Sequence, residues 1–279
     1  MLQPWDPEFA GRSPLFEPLR AAVSELRMPD WPDCDDLNRA IAAHGRPIGT
    51  AGGRPLRYVK QQLPQVSFED KYEPRIFLRG EVQVRPCNWH DLFNALVWLT
   101  FPAAKAALNR RHYHELKCNR GKRGLNRGAA QDALTLFDEG GLIVAAADAA
   151  LTVLLTSCQW KELFWQRRAE AARSMRFYLF GHALYEKALE PFVGVTGRGA
   201  IFEVESAFFD TSLGAQLAEL DLRLATRLGD ARRFSAPHDL PPIPILGVPG
   251  WCEDNAREQF YDNTAYFRPV SAGKATDRR

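Results

Sequence analysis

Residues 132–147 read DALTLFDEGGLIVAAA, and their reading decides the fold class. Leu134 and Leu136 alternate with polar neighbours, then Glu-Gly-Gly punctuates the chain, then an apolar run LIVAAA follows. That pattern predicts two strands around a tight turn. In such a hairpin Asp138 and Glu139 end the first strand. Asp132 shares a face with Asp138, because an even number of residues separates them.

Outward from this segment the pattern is mostly helical. Downstream, Asp148 starts a helix to Cys158, and residues 160–173 continue helical. Residues 176–180 read as a strand that Gly181 breaks, and HALYEKAL (182–189) runs on as a helix. Residues 200–204 are a further strand. Leu213, Leu217, Leu220, Leu224 and Leu228 stripe one face of a helix over 211–228. LPPIPILGVPG (240–250) holds too many prolines for a helix and predicts an extended strap. Upstream, NWHDLFNALVWLTFP (88–102) is a helix with Asn88 as its N-cap and Pro102 at its end. An alanine-rich helix spans 103–116. Residues 75–85 alternate around Arg79-Gly80 and predict a second hairpin. Residues 15–26 and 37–44 are short helices, the latter capped by Asp35 or Asp36, and 45–64 reads as irregular chain.

Helices therefore outnumber strands. Strands come as hairpins or as strand–helix–strand, not in long β-α alternation. The expectation is an α+β fold, predominantly helical, with a small and mainly antiparallel sheet. The expected organisation is an arm over 1–70 packed on the core, a main domain over 71–268, and a polar tail over 269–279.

Composition narrows the function classes. Among 279 residues, 46% are hydrophobic and 25% charged, so the chain has ample apolar material for a core. A formal charge of +2 excludes a wholly basic nucleic-acid coat. The longest apolar-rich run, 141–155, is interrupted by Asp148 and is shorter than the ~18 residues of a membrane helix. The N-terminus MLQPWDPEF lacks the basic and apolar regions of a signal peptide. Five widely spaced cysteines form no C-x-x-C pair, so reduced, mostly buried thiols in a cytoplasmic protein are expected. Dinucleotide, P-loop, zincin and nucleophile-elbow motifs are absent.

With only six histidines, each can be weighed. His90 and His182 fall at predicted helix N-termini, where the macrodipole opposes imidazolium and favours a neutral ring. Asn94 follows His90, and Glu186 follows His182, each four residues on and so on the same helix face. His90, Asp138, His182 and Glu186 form a candidate divalent-metal set. With Glu139 they are the candidate catalytic residues, and Asn94 is a candidate substrate contact. Each pair also has a plain structural reading as a cap or a solvated polar pair. His112 and His114 diverge on a helix and make a weak metal motif. Residues 110–128 carry seven basic side chains, of which Arg120, Lys122, Arg123 and Arg127 sit in a glycine-broken loop suited to an anion.

The blocks 88–109, DALTLFDEGG (132–141), WKELF (160–164), FGHALYEK (180–187), and LGVPGW with YDNTAYFR (246–268) together resemble a bacterial family known as domain of unknown function 3025. The resemblance covers Tyr72 to Arg268. It implies a soluble intracellular protein and no particular reaction. The residues themselves favour metal-assisted hydrolysis of a phosphate- or ester-bearing substrate. A nucleic-acid-binding or regulatory module using 110–128 and a non-catalytic scaffold are the alternatives.

Overall fold

A computed structural model describes residues 4–26, 29–62, 67–120 and 128–269. Lys122, Arg123 and Arg127, and the tail beyond 269, lie outside the described residues. The chain opens with a 3₁₀ segment, Pro14–Leu19, that runs into α1 (Arg20–Leu26). Helix α2 (Cys34–Ala43) starts one turn earlier than expected. Asp33, not Asp35 or Asp36, accepts the amides of residues 35 and 36, and Asp36 returns a bond to the Asp33 amide. A short strand, β1 (Arg57–Lys60), lies within the stretch expected to be irregular.

Neither expected hairpin forms. Residues 72–79 are α3 (Tyr72–Arg79), and Gly80 closes it in the left-handed conformation at φ 72°. A Cβ at Gly80 would lie 2.0 Å from the Pro55 carbonyl oxygen, so glycine is required there twice over. The chain then enters β2 (Glu81–Val84), which pairs in parallel with β1 rather than turning back on residues 76–78. Helices α4 (Trp89–Thr100) and α5 (Pro102–Cys118) follow as the sequence indicates. Asn88 accepts the Asp91 amide, and Pro102 sits at the first position of α5. The nominal first strand of the second hairpin is instead α6 (Ala129–Gly140), so Asp132 and Asp138 share no strand face. Gln131, Leu134, Phe137 and Asp138 bury its inner side at helical spacing.

Gly140 ends α6 and the apolar run becomes β3 (Gly141–Ala146), buried at every residue. Helix α7 (Ala149–Thr156) is capped by Asp148. A π-helical turn over 162–166 leads to α8 (Arg168–Ser174) and β4 (Met175–Leu179). Helix α9 (His182–Ala188), β5 (Thr196–Glu203), α10 (Leu213–Gly229) and β6 (Pro242–Pro244) complete the order. The larger sheet runs β4-β3-β5-β6. β3 pairs antiparallel with β4 and parallel with β5, while proline-bearing β6 pairs antiparallel at the edge. The fold is α+β, with helices dominant and the sheet mixed rather than assembled from hairpins.

One core joins these parts. Phe9 meets Phe93 of α4 edge-on and Phe16 stacks on it, Phe16 also meets Tyr185 of α9, and Trp5 stacks on Trp89. The strap is pinned by Asn255, 1% exposed, whose amide group donates to the Leu246 and Val248 carbonyls. Tyr266 hydroxyl accepts the Leu246 amide and donates to the Val195 carbonyl. The five cysteines are free. Contrary to expectation none is buried: Cys87 and Cys118 are exposed and the other three half-buried. Among the described residues no helix is long and apolar enough to cross a membrane.

Candidate functional site

Five helices bring polar residues to one cleft of about 430 Å³. Helix α4 contributes His90 and Asn94, one turn apart. Helix α6 contributes Gln131, Thr135 and Asp138, a stripe at i, i+4 and i+7, with Glu139 beside it. Helix α5 contributes His112, and α3 contributes Tyr72 and Glu73. His182, the first residue of α9, reaches the same space because Gly181 lets two backbones touch. The Gly181 amide donates to the Gly141 carbonyl at 2.9 Å, and a Cβ there would lie 2.4 Å from both the Glu139 oxygen and the Gly141 nitrogen.

The two imidazoles expected to share a cavity are in contact. His90 Nε2 and His182 Nε2 are 3.0 Å apart, with the rings edge-on. At that distance one nitrogen carries the hydrogen and the other accepts it. The carboxylates stand behind the rings. Glu186 Oε2 lies 3.0 Å from His90 Nδ1, and Asp138 Oδ1 lies 3.8 Å from His182 Nδ1. His90, Asp138, His182 and Glu186 thus form a line, and their oxygens and nitrogens do not converge on one point. This corrects the expected four-residue metal set.

Buried charge organises the floor. Lys105 of α5, 4% exposed, donates from Nζ to Asp138 Oδ1 at 2.5 Å. Burial pushes the Asp138 carboxyl up, but Lys105, His182 and His112 together outweigh it and hold the group at about 2. Burial pushes His182 down to about 4, against the pull of Asp138 and with the help of Lys105 and His90, so the ring is neutral. Its Nδ1 is buried without a hydrogen bond of ordinary length. Tyr72 hydroxyl, raised well above its usual value by burial and by nearby Glu73, accepts the Asn94 amide group at 2.5 Å.

A different trio converges. Ligand atoms of Glu73, His112 and Asp138 all lie within 4.8 Å of one another. These three also line a small space of about 10 Å³, the size of one water or one ion, together with Lys105, Asn109 and Trp98. Asn109 is 3% exposed; it donates to Glu73 Oε2 at 2.6 Å, and its own Oδ1 has no partner. An orphaned amide oxygen beside two carboxylates and an imidazole fits a divalent cation, and the lysine bonds only the Oδ1 of Asp138.

Sequence reasoning missed Glu73 and set His112 aside. The signal available was Lys105, Asn109 and His112, a polar stripe at i, i+4 and i+7 on an otherwise apolar helix face. Glu73 carries no comparable signal. Of the expected anion-binding residues, Arg120 is turned to Glu69, 3.6 Å away, and lies over the Phe68 ring. Asn94 and Glu139 line the cleft, the first buried and the second exposed.

Fold and cleft define an α+β protein with a polar, histidine-rich site held between helices. Over residues 56–271 the sequence matches the family described as Protein of unknown function (DUF3025), and the chain belongs to that family. The matched span takes in β1 and the 110–128 stretch. No curated protein and no solved structure matches the chain.

Proposed function

We propose that the chain is a metal-dependent hydrolase, with Glu73, His112 and Asp138 holding a divalent cation at the floor of the cleft. The observation that carries this reading is the convergence of those three ligand atoms within 4.8 Å, beside a one-ion space. One imidazole with two carboxylates suits Zn²⁺ or Mn²⁺. When bound, such an ion acidifies water and polarises a phosphoryl or carbonyl oxygen.

The chain's own residues do the rest. Asn109 orients Glu73, and Lys105 fixes one oxygen of Asp138. His182 and His90 offer a route for a proton between the cleft and Glu186 at the surface. The charged lining is Glu73, Asp91, Asp138 and Glu139 against Lys71 and Arg85, with Arg85 already held by Asp91. An anionic phosphate- or ester-bearing substrate is therefore not welcome until a cation offsets the carboxylates. Lys71, exposed at the rim with no ion pair among the described residues, then adds to its attraction.

Elemental analysis of the purified protein, with calorimetric titration of Zn²⁺ and Mn²⁺ into chelator-treated samples, tests this. Glu73→Gln and His112→Ala are expected to weaken metal binding by roughly tenfold or more with the helical circular dichroism retained. Hydrolysis of nitrophenyl phosphate and nitrophenyl acetate should return on adding metal back. A folded protein that binds neither ion at millimolar concentration ends the proposal.

A further inference from the structure

A second concavity, also of about 430 Å³, lies where the C-terminal end of α10 meets residues 230–241 and the β5 strand. Its charged lining is Arg227, Arg232, Arg233 and His238 against Asp239 alone. Asp239 is already committed, accepting the Ser235 amide and hydroxyl at 2.8 Å each and the Ala236 amide at 3.2 Å. Arg232 is taken by Asp230, and His238 Nε2 lies 3.6 Å from Asp239 Oδ1. Two guanidinium groups are left. Arg227 lies 3.8 Å above the Phe202 ring centroid and donates one N–H to the Ile201 carbonyl at 2.6 Å, its only side-chain hydrogen bond among the described residues. Arg233 makes no side-chain hydrogen bond or ion pair among the described residues.

The neighbours make matters worse for Arg227. Burial lowers it to about 10, Arg233 and Arg223 push the same way, and no carboxylate opposes them. Nor can the loop relax easily. Arg111, buried beneath it, donates to the carbonyl oxygens of Asp230, Arg233 and Phe234, the shortest at 2.6 Å. Phe234 is buried against Phe137 and takes a positive φ of 51°, a strained backbone for a residue with a large side chain. A fixed backbone thus presents two guanidinium groups to one pocket, Arg227 with no carboxylate acting on it and Arg233 with only the Asp230 carboxylate nearby, itself paired to Arg232. Such an arrangement costs free energy that a bound anion removes.

We propose that this pocket binds a phosphate-type oxyanion, with Arg227 and Arg233 as its ligands. Guanidinium N–H groups match tetrahedral oxyanions through paired hydrogen bonds. The assignment is independent of the metal cleft. Free phosphate and the phosphate of a larger metabolite share this chemistry, and the pocket has room for either.

The test is calorimetry and thermal melting of the full chain with inorganic phosphate, ionic strength being held constant with chloride. Phosphate, and not chloride, is expected to raise the melting temperature. Arg233→Gln removes an exposed side chain, so the fold is retained, and it should weaken phosphate binding by roughly tenfold or more. Arg227→Lys keeps the charge but loses the fork and should bind at an intermediate level. Tighter binding of glycerol 3-phosphate than of phosphate identifies a phosphomonoester as the ligand, and the reverse identifies free phosphate. An unchanged response in Arg233→Gln, or none in the wild type at millimolar phosphate, overturns the proposal.

Discussion

Asp221 shows how much one side chain can do from a distance. It belongs to α10, yet it accepts the Ala103 and Ala104 amides at 3.0 and 2.7 Å and so caps α5, the helix that carries Lys105, Asn109 and His112. Burial outweighs those two donors and raises its carboxyl from 3.8 to about 6. The folded protein therefore holds this proton more tightly than the unfolded chain does. Its effect on stability is a loss as pH rises from about 4 to about 6, of about 3 kcal/mol at ~1.4 kcal/mol per pKa unit. Asp221→Asn, which cannot ionise, should flatten that part of a plot of urea midpoint against pH. A slope unchanged by the substitution would show that another group titrates. Asp221→Ala leaves two helix-terminal amides without a partner and should cost about 1–3 kcal/mol at neutral pH.

At the scale of elements, glycine governs both what was legible and what was misread. Gly80 and the Gly140-Gly141 pair look like hairpin turns because apolar residues alternate on either side. In the structure each follows or ends a helix, and the chain continues into a strand without reversing. Short apolar runs fit either period, and only burial on the helical face of 131–138 decides between them. The helix starts at Asn88 and Asp148 were legible, since a capping side chain acts within three residues of itself. Asn88→Ala should cost about 1 kcal/mol and fray the turn that holds His90. Gly181→Ala is expected to be harsher, about 2 kcal/mol or more, because its methyl group meets two backbone atoms of the α6–β3 junction. Chemical denaturation measures both; a Gly181→Ala protein as stable as wild type would mean that α9 can shift freely.

For the whole molecule the N-terminal segment is structural. Phe9, Leu15, Phe16 and Leu19 are buried and cover α4 and α9, the two helices whose N-termini bring His90 to His182. Removing residues 1–55, which precede the family match, should expose Trp89, Phe93 and Tyr185 and leave an aggregating protein. A soluble, cooperatively melting 56–279 fragment would refute this.

The sequence alone determined the local order: the α+β class, the bounds of α4, α5, α7, α9 and α10 to within about two residues, and the placement of Asn94 one turn after His90 and of Glu186 one turn after His182. These follow from interactions spanning a few residues, which composition and periodicity record. Packing alone decided that His90 and His182 touch edge-on, that Glu73 and Asp138 flank His112, and that Arg227 and Arg233 line one pocket. Each of those depends on how distant segments are laid against one another across a core. No repeating pattern along the chain encodes such a meeting, since side-chain periodicity reports which face is buried and not what lies opposite it.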